Sequence, residues 1–214
     1  RGPQGTRYGA NALAGLINVR TRAPRPEQEL MTEFSAGDDG LWSAGLVAGG
    51  AVGLGVGDGG AWRLAAQQSR SDGFRHNRYL DRDDTNGRDE LTVRGRLALE
   101  PVDGWHLGLT VLHADVDNGY DAFAPDNSFD TISDRPGRDA QRSTGAAARI
   151  TGRVGIATLQ SITALADSDI VYSFDGDWGN DDYWGEYAPY DYFSRYDRAR
   201  QTLSQDLRLV SAAT

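Results

Sequence analysis

Aromatic and acidic side chains are concentrated between residues 172 and 200, in the stretch YSFDGDWGNDDYWGEYAPYDYFSRYDRAR. Aromatic ring faces attract cations and stack on other rings, while carboxylates attract cations or hold a divalent ion. Such a stretch can therefore bind a cationic or ring-bearing ligand. The residues that we predict to contact this ligand are Trp178, Asp181, Asp182, Tyr183, Trp184, Tyr187 and Tyr190.

A calcium loop is the first specific alternative for the same stretch. Asp175, Asp177 and Glu186 fit positions 1, 3 and 12 of the EF-hand spacing. That loop requires glycine at position 6, but Gly179 stands at position 5 and Asn180 at position 6. No flanking helices are predicted either, so we do not expect an EF-hand, and no metal-ligand residues are assigned; binding of a cation by the acidic loop stays open.

Catalytic and cofactor chemistry has little support elsewhere in the chain. There is no cysteine, and His76, His106 and His113 are far apart with no HExxH spacing, which argues against a zinc site. Neither a GxSxG nucleophile motif nor a phosphate-binding glycine motif is present. The sequence therefore predicts a protein that has no cofactor and is not an enzyme.

Net charge narrows the range of partners. The formal charge is −9, and all 22 basic residues are arginine because lysine is absent. The arginines are not clustered into the basic patch that a phosphate backbone requires, so no nucleic-acid partner is predicted.

No run approaches the roughly 20 apolar residues of a membrane helix. A barrel strand needs only about 10 alternating residues, so this observation leaves a membrane barrel open.

Alternation of apolar and polar residues with period two is the main structural signal in the rest of the chain. In the stretch from 89 to 101, one face would carry Leu91, Val93, Leu97 and Leu99, and the other Thr92, Arg94, Arg96 and Glu100. The turn sequence Pro101-Val102-Asp103-Gly104 follows, and the alternation resumes with Trp105 and Leu107. These two strands are predicted to form a hairpin.

Further strands are predicted at 28–36, 41–52, 61–72, 139–151, 156–171 and 201–211, which gives about eight in all. Short connections near 53–60, 101–104 and 152–155 alternate with long ones near 73–88, 117–138 and 172–200. A meander with short turns at one end and long loops at the other is typical of an antiparallel up-and-down transmembrane β-barrel. A soluble β-sandwich remains the alternative, although it does not explain this alternation of loop lengths.

The polar face of these strands carries arginines. Arg94, Arg96 and Arg208 are predicted to face a wet lumen, as is Arg149. Such residues can meet an anionic substrate such as a ferric chelate, or pair with acids on neighbouring strands. In a barrel, the aromatic residues of the 172–200 stretch have a structural alternative to ligand binding, namely a girdle at the lipid interface beneath a solvated acidic loop.

The first 24 residues resemble a specific family. The ordered elements RGPQGT, YG, AG and INV, ending at Pro24, are similar to the closing stretch of the plug domain of TonB-dependent outer-membrane receptors. The motif residues are Arg1, Gly2, Pro3, Gln4, Gly5, Tyr8, Gly9, Gly15 and Asn18. The stretches 71–122 and 203–211 also resemble members of this family.

The resemblance implies a domain organisation. Residues 1–26 would form the C-terminal end of a plug, and residues 27–214 the N-terminal portion of the receptor barrel. Barrels of this family close at about 22 strands, so we expect an all-β fragment of such a barrel. The front of the plug and its energy-coupling box would precede Arg1.

The resemblance also implies a function. The full protein would lie in the outer membrane of a Gram-negative bacterium, in contact with its lipid, and import a scarce nutrient with energy supplied by the TonB complex. A ferric siderophore is the expected ligand, and cobalamin, glycans and other small nutrients are further possibilities. Two alternatives stay open: a passive channel with the same wall, and a surface-binding adhesin barrel that transports nothing.

Overall fold

A computed structural model of the chain describes residues 17, 19–53 and 59–211. The predicted plug motif falls almost entirely outside these residues, since Arg1, Gly2, Pro3, Gln4, Gly5, Tyr8, Gly9, Gly15 and Asn18 are not among them. The assignment of residues 1–26 to a plug therefore stays a prediction.

Eight long strands form one antiparallel sheet. They are β1 (Glu29–Ala36), β2 (Trp42–Val52), β3 (Gly60–Ser71), β5 (Arg88–Val102), β6 (Trp105–Tyr120), β8 (Gly137–Val154), β9 (Ala157–Asp175) and β10 (Phe193–Ser211). Each pairs with the next in that order, as in an up-and-down meander. The strands β1 and β10 lie at the two edges, so the sheet is not closed among the described residues. The predicted all-β barrel fragment is confirmed.

Connections differ in length between the two ends of the sheet. At one end, β5 joins β6 through Asp103 and Gly104, and β8 joins β9 through Gly155 and Ile156. Gly104 has a φ of +74°, a conformation in which glycine avoids the steric cost of a side chain. At the opposite end the loops 72–87, 121–136 and 176–192 are long. This is the alternation that the sequence predicted.

The last loop is shorter than predicted, because the strands on both sides of it are longer. β9 continues to Asp175, and β10 begins at Phe193 rather than at 201. The additional part of β10 has charged side chains where alternation would require apolar ones, and Arg195 pairs with Asp197 on the same face at 2.8 Å. Hydrophobic periodicity could not detect this part of the strand.

The register divides the sheet into two chemically different faces, since directly paired residues share a face. One face is apolar: Trp62 pairs with Leu97, Leu97 with Leu109, and Leu99 with Leu107. Leu30, Phe34, Leu46, Ile150, Leu165, Leu203 and Leu207 lie on this apolar face as well. The polar face carries Arg94, Arg96, Arg149, Gln141 and Arg208.

Neither face is covered by a second layer of secondary structure. Ala61 is the one buried hydrophobic residue in the described part of the chain, and Leu203 on the apolar face is 77% exposed. The apolar side chains of β5 are only half-buried, by their neighbours within the sheet. A sandwich would bury them fully between two sheets. The sandwich alternative is therefore wrong for this part of the chain.

Short elements occur in the long loops. The strands β4 (His76–Asn77) and β7 (Asp130–Thr131) pair in parallel, and a single-turn helix α1 (Asp181–Trp184) runs into a 3₁₀ turn, Gly185–Tyr187. Among the described residues, no helix has both the length and the apolar character needed to cross a membrane.

Candidate functional site

The long loops 72–87, 121–136 and 176–192 join into one unit, here called the loop layer. The backbone pairing of β4 with β7 links the first loop to the second, and the amide N–H of Arg78 donates to the carbonyl of Thr131 at 2.9 Å. The fully buried side chains of this layer are polar: Asn77, Thr131 and Ser133 are each 0 or 1% exposed. Its interior is therefore held by hydrogen bonds rather than by apolar packing.

Asp121 is the central acceptor of the loop layer. Its Oδ2 accepts hydrogen bonds from Asn77 Nδ2 at 2.8 Å and from Thr131 Oγ1 at 2.6 Å. Asn77 Nδ2 also donates to the carbonyl of Ser133 at 2.9 Å, and Asn77 Oδ1 accepts from the amide of Leu80. Both functional atoms of the buried Asn77 amide are thus satisfied, as buried polar groups require.

The third loop is attached to the second. Asn180 Nδ2 donates to the carbonyl of Ile132 at 2.7 Å, and the amide of Asp134 donates to the carbonyl of Gly179 at 3.1 Å. Asn180 also caps α1, because its Oδ1 accepts from the amide of Tyr183. At the surface, Nη1 of Arg135 donates to both carboxylate oxygens of Asp191, at 2.9 and 2.7 Å.

Two aspartates at the start of the third loop have opposite pKa shifts. Asp175 is 7% exposed and lies ten residues beyond Leu165, at the loop end of β9. Burial raises its pKa to about 6, a hydrogen bond with Ser133 opposes this, and the charge of Asp177 adds to the rise. Its Oδ2 is buried with no hydrogen-bond partner among the described residues.

Asp177 keeps its charge because it has several donors. Burial alone would raise the pKa of Asp177, but hydrogen bonds from the amides of Tyr192 and Gly179 and from the indole of Trp184 outweigh burial and lower it. The donor to acceptor distances are 2.7, 3.0 and 3.2 Å. Asp177 therefore organises the third loop as an ionised acceptor, whereas Asp175 takes up a proton as the pH falls through about 6.

The residues predicted to bind a ligand separate into different environments. Trp184 is used internally: it donates to Asp177 and makes edge contacts with Tyr183 and Tyr190, at ring-centroid distances of 5.1 and 4.9 Å. Asp181 and Asp182 are exposed in the first turn of α1, and Tyr187 is 72% exposed. Trp178 lies in a separate group of rings. Ligand contact by these residues stays a prediction.

Trp178 belongs to a continuous group of rings, here called the aromatic ladder: Trp178, Phe123, Tyr120, Tyr172, Phe174 and Tyr196. Trp178 stacks on Phe123 at 5.1 Å, with an angle of 19° between the rings. Tyr120 contacts Phe123 at 6.2 Å and Tyr172 at 5.0 Å, and Tyr172 in turn contacts Phe174 and Tyr196. Phe123 and Trp178 are each 41% exposed, so the end of the ladder presents ring surface to solvent.

The aromatic ladder lies on the polar face, at the end of the sheet where the long loops are. The register runs from Asn118 through Asp139 to Tyr172 and then to Tyr196, and Tyr120 is on the same face as Asn118. Sequence reasoning selected Trp178 from the aromatic 172–200 stretch, which also contains Tyr172, Phe174 and Tyr196, but it did not connect Tyr120 and Phe123 with that stretch. Tyr120 and Phe123 are about 50 positions from Tyr172, and only the strand register brings them together.

The predicted lumen arginines all lie on the polar face. Arg208 forms an ion pair with Asp206, and Arg96 donates to the carbonyls of Thr21 and Arg22 at 3.0 and 2.8 Å. The segment 19–22 is thereby held against the polar face of the sheet. Arg94 lies two residues before Arg96, near the same segment.

Carboxylates and histidines do not form a metal centre in the described part of the chain, where no group of three or more is arranged around a common point. His106 pairs instead with Glu100 at 2.7 Å, and His76 with Asp83 at 2.7 Å. These contacts are side-chain pairs at the surface.

Comparison with known proteins finds similarity to a transporter sequence and to a solved receptor structure, although no model of a known protein family matches the chain. The chain is 26% identical over 121 residues to the vitamin B12 transporter BtuB of Photobacterium profundum. Its fold is similar, with a TM-score of 0.63 and 17% identity, to the ferric-catecholate import receptor Fiu from E. coli K12.

The two comparisons cover different shares of each protein. The match to BtuB covers 56% of this chain and 19% of the transporter, and the match to Fiu covers 98% of this chain and 31% of the receptor. The chain thus spans about a fifth of the length of the curated relative and a third of the solved structure. Both proteins are named for transport or import, and neither name describes an enzyme.

Proposed function

We infer that the chain is part of a TonB-dependent receptor, the family to which the curated relative and the structural neighbour both point. The full protein, in this proposal, lies in the outer membrane of a Gram-negative bacterium. It binds a scarce nutrient at the loop layer and imports it with energy from the TonB complex. Residues 1–26 are the end of its plug, and residues 27–214 are part of its barrel wall.

The two faces of the sheet support the role of a barrel wall. Apolar side chains such as Leu97 and Leu109 would face lipid, and the face with Arg94 and Arg96 would face the lumen. The segment 19–22, which follows the predicted plug motif, lies against this lumen face through Arg96. That position agrees with a chain passing from a plug inside the barrel into the first strand of its wall.

Strand length supports a wall that extends beyond the membrane on the side of the long loops. β9 has 19 residues. At about 3.3 Å per residue and a tilt of roughly 40°, such a strand rises about 45 Å, compared with an apolar band of about 25 Å.

The position at which the apolar band ends supports the same conclusion. On the outward face of β9, Leu165 is followed by Asp167 and Asp169. At the same level, Asp115 pairs with Arg142 at 3.0 Å and Asp117 with Arg138 at 2.6 Å. The loop layer would thus stand outside the hydrocarbon.

The proposed ligand is a ferric siderophore. The aromatic ladder offers ring surface for stacking on an aromatic iron chelator, and the arginines of the lumen face would attract its negative charge. The cargoes named for the two relatives are vitamin B12 and a ferric catecholate. Of these two, the ferric catecholate is both aromatic and anionic, and it therefore fits rings and arginines together.

The observation that carries the proposal is a single-layer sheet with an apolar and a polar face and with all its long loops at one end. The experiment compares cells with and without the full-length gene, in backgrounds with and without TonB. Under iron limitation, we expect uptake of ⁵⁵Fe bound to a tris-catecholate chelator to require both the gene and TonB.

The same experiment separates the alternatives. Uptake that needs the gene but not TonB would indicate a passive channel. Binding of the iron chelate at the cell surface with no uptake in any background would indicate an adhesin-like barrel. Either result would overturn the proposal of active transport.

A further inference from the structure

Trp178 has a backbone conformation that bulky side chains rarely adopt. Its φ is +62°, in the left-handed region, where the backbone crowds the Cβ atom. In the described part of the chain, the other non-glycine residues with positive φ are Asp39, Asp81 and Asn127, whose short polar side chains suit this region. Trp178 differs from them in kind, so its conformation has to be held by the surrounding structure.

Glycine is present on both sides of this position but not at it. Gly176 and Gly179 stand two residues before and one residue after Trp178, and neither of them has a positive φ. A Cβ atom on Gly179 would lie 2.6 Å from the indole nitrogen of Trp184, so this glycine serves close packing instead. The left-handed position thus carries a large ring at an energetic cost, which indicates that the ring itself has a role.

Two carboxylates hold the backbone around Trp178. Asp175 Oδ1 accepts hydrogen bonds from the amides of Asp177 and Trp178, at 3.2 and 3.3 Å. Asp177 Oδ1 in turn accepts from the amide of Gly179 at 3.0 Å. In both cases an aspartate side chain binds the backbone two residues further on, as in an Asx turn. The two successive turns fix the chain immediately before and after the left-handed residue.

Both carboxylates are themselves fixed in the loop layer. Asp175 and Asp177 are each 7% exposed. Asp177 Oδ2 accepts from the amide of Tyr192 at 2.7 Å, and its Oδ1 also accepts from the indole of Trp184. The turn that carries Trp178 is thereby fastened to the far end of the third loop.

Phe123, the ring partner of Trp178, is anchored in a similar way. It lies two residues after Asp121, the buried acceptor that binds Asn77 and Thr131. The two rings come from different loops and stack at 5.1 Å with an angle of 19°. Hydrogen bonds of the loop layer thus build the stack from both sides, and a preorganised surface loses less conformational entropy when it binds a ligand.

We propose that Asp175 and Asp177 are positioning residues for ligand binding: they hold Trp178 in its left-handed conformation and so place its indole on Phe123. They act through this ring and do not touch the ligand. The inference rests on the transport function proposed above, in which the aromatic ladder stacks on an aromatic iron chelate. It adds that the affinity of the ladder depends on two buried carboxylates.

The test uses the purified full-length receptor in detergent, with a synthetic tripodal tris-catecholate complex of iron(III) as the probe. Asp175→Ala and Asp177→Ala each remove the acceptors of one turn. Each is expected to raise the dissociation constant about 2- to 12-fold, which is the contribution of one aromatic contact. Asp175→Asn keeps an acceptor oxygen for the amide of Trp178 and should retain the wild-type affinity. Glu186→Gln, which changes an exposed carboxylate in the same loop, is the matched control.

A double-mutant cycle separates positioning from general support of the loop. In a Trp178→Ala background the ring is absent, so Asp177→Ala should cause no further loss of affinity. A carboxylate that only supports the loop layer would lower the affinity by the same factor in both backgrounds. Asp177→Asn takes the place of the alanine variant where the latter does not fold, since it loses one of the two acceptor oxygens.

Fluorine NMR reports the position of the ring directly. The receptor is labelled with 5-fluorotryptophan, and the Trp178 resonance is assigned by its loss in Trp178→Phe. Stacking on Phe123 shifts this resonance through the ring current. We expect Asp177→Ala to move it towards its position in Phe123→Leu, and Glu186→Gln to leave it unchanged.

Three results would overturn the inference. They are wild-type affinity in both alanine variants, equal losses in the two backgrounds of the cycle, and an unmoved Trp178 resonance in Asp177→Ala. Weaker binding by Trp178→Ala alone, with wild-type affinity in the aspartate variants, would remove the positioning role and leave the aromatic ladder as the ligand site. TonB-dependent uptake is measured separately in cells, so the proposed transport function can stand when the positioning role fails.

Discussion

Asn77 and Asp121 are 44 positions apart in the chain, and the amide of one donates a hydrogen bond of 2.8 Å to the carboxylate of the other inside the loop layer. Both residues are buried, at 0 and 3% exposure. The bond connects the loop that follows β3 with the residue that directly follows β6. It therefore adds a buried side-chain link between two strand connections that the backbone pairing of β4 with β7 also joins.

Replacement of Asn77 with alanine is expected to loosen the first and second loops together. It removes one of the two donors to Asp121 and leaves the buried carbonyl of Ser133 without the Asn77 donor, which costs about 1–3 kcal/mol. Hydrogen exchange of the full-length receptor should show reduced protection in both 72–87 and 121–136. Glu186→Ala, an exposed change in the same layer, should leave the protection as it is. Loss of protection in the first loop alone would contradict the idea of a shared core.

Acidic pH is expected to stabilise the third loop. Because burial raises the pKa of Asp175 from 3.8 to about 6, its contribution to stability is complete below about pH 4 and is lost as the pH rises through 6. The pKa of Asp177 is lowered, so its contribution to stability changes with pH only below the ordinary pKa of an aspartate. That region lies outside the range from pH 5 to 7.5. Exchange protection of 176–192, corrected for intrinsic rates, should therefore be higher at pH 5 than at pH 7.5.

Asp175→Asn should remove that pH dependence, since the amide does not titrate in this range. Asp182→Asn changes an exposed carboxyl in the same loop and should retain the wild-type profile. An unaltered pH profile in the Asp175→Asn variant would show that another group controls the loop.

Removal of the exposed rings of the aromatic ladder is expected to weaken ligand binding. Trp178→Ala and Phe123→Ala each remove one partner of the stacked pair, and an aromatic contact contributes about 0.5–1.5 kcal/mol, or roughly 2- to 12-fold in affinity. Titration of the full-length receptor with the iron(III) tris-catecholate measures this change. Phe129→Ala, which removes an exposed ring outside the ladder, is the control. Equal affinities in all variants would exclude the ladder from the binding site.

Residues 1–214 expressed alone are expected to aggregate in water. The two edge strands, β1 and β10, present unpaired backbone groups, and the apolar face exposes Leu30, Phe34 and Leu203. Light scattering after size-exclusion chromatography should show large assemblies that detergent disperses. A monodisperse monomer that melts cooperatively without detergent would contradict this expectation.

The sequence was most informative where side chains alternate regularly. Leu91, Leu97 and Leu99 predicted both the strand and its apolar face, because a one-residue shift in register would reverse every side chain. The start of β10 was missed since Arg195 and Asp197 are charged on the outward face. Beyond the apolar band, polarity no longer distinguishes a strand from a loop.

The candidate site was less predictable than the wall, because its parts come from distant positions. Trp178 was selected for its composition, but its stacking partner Phe123 comes from another loop. Trp184 was also selected, yet its indole donates to Asp177 and supports the loop instead. No local pattern distinguishes a ring that binds a ligand from one that supports a turn. That difference depends on tertiary contacts.

The described part of the sheet has only one buried apolar side chain, and this changes how its leucines respond to truncation. In a globular interior, replacing leucine with alanine leaves a void that the rigid surroundings cannot fill, and the void adds to the cost. Around Leu97 or Leu109 the surroundings would be fluid acyl chains, which close over the missing methyl groups. The cost then reduces to the transfer free energy of those groups, about 2 kcal/mol. In a wall that faces lipid, the positions of the apolar face would accordingly tolerate changes in size better than changes in polarity.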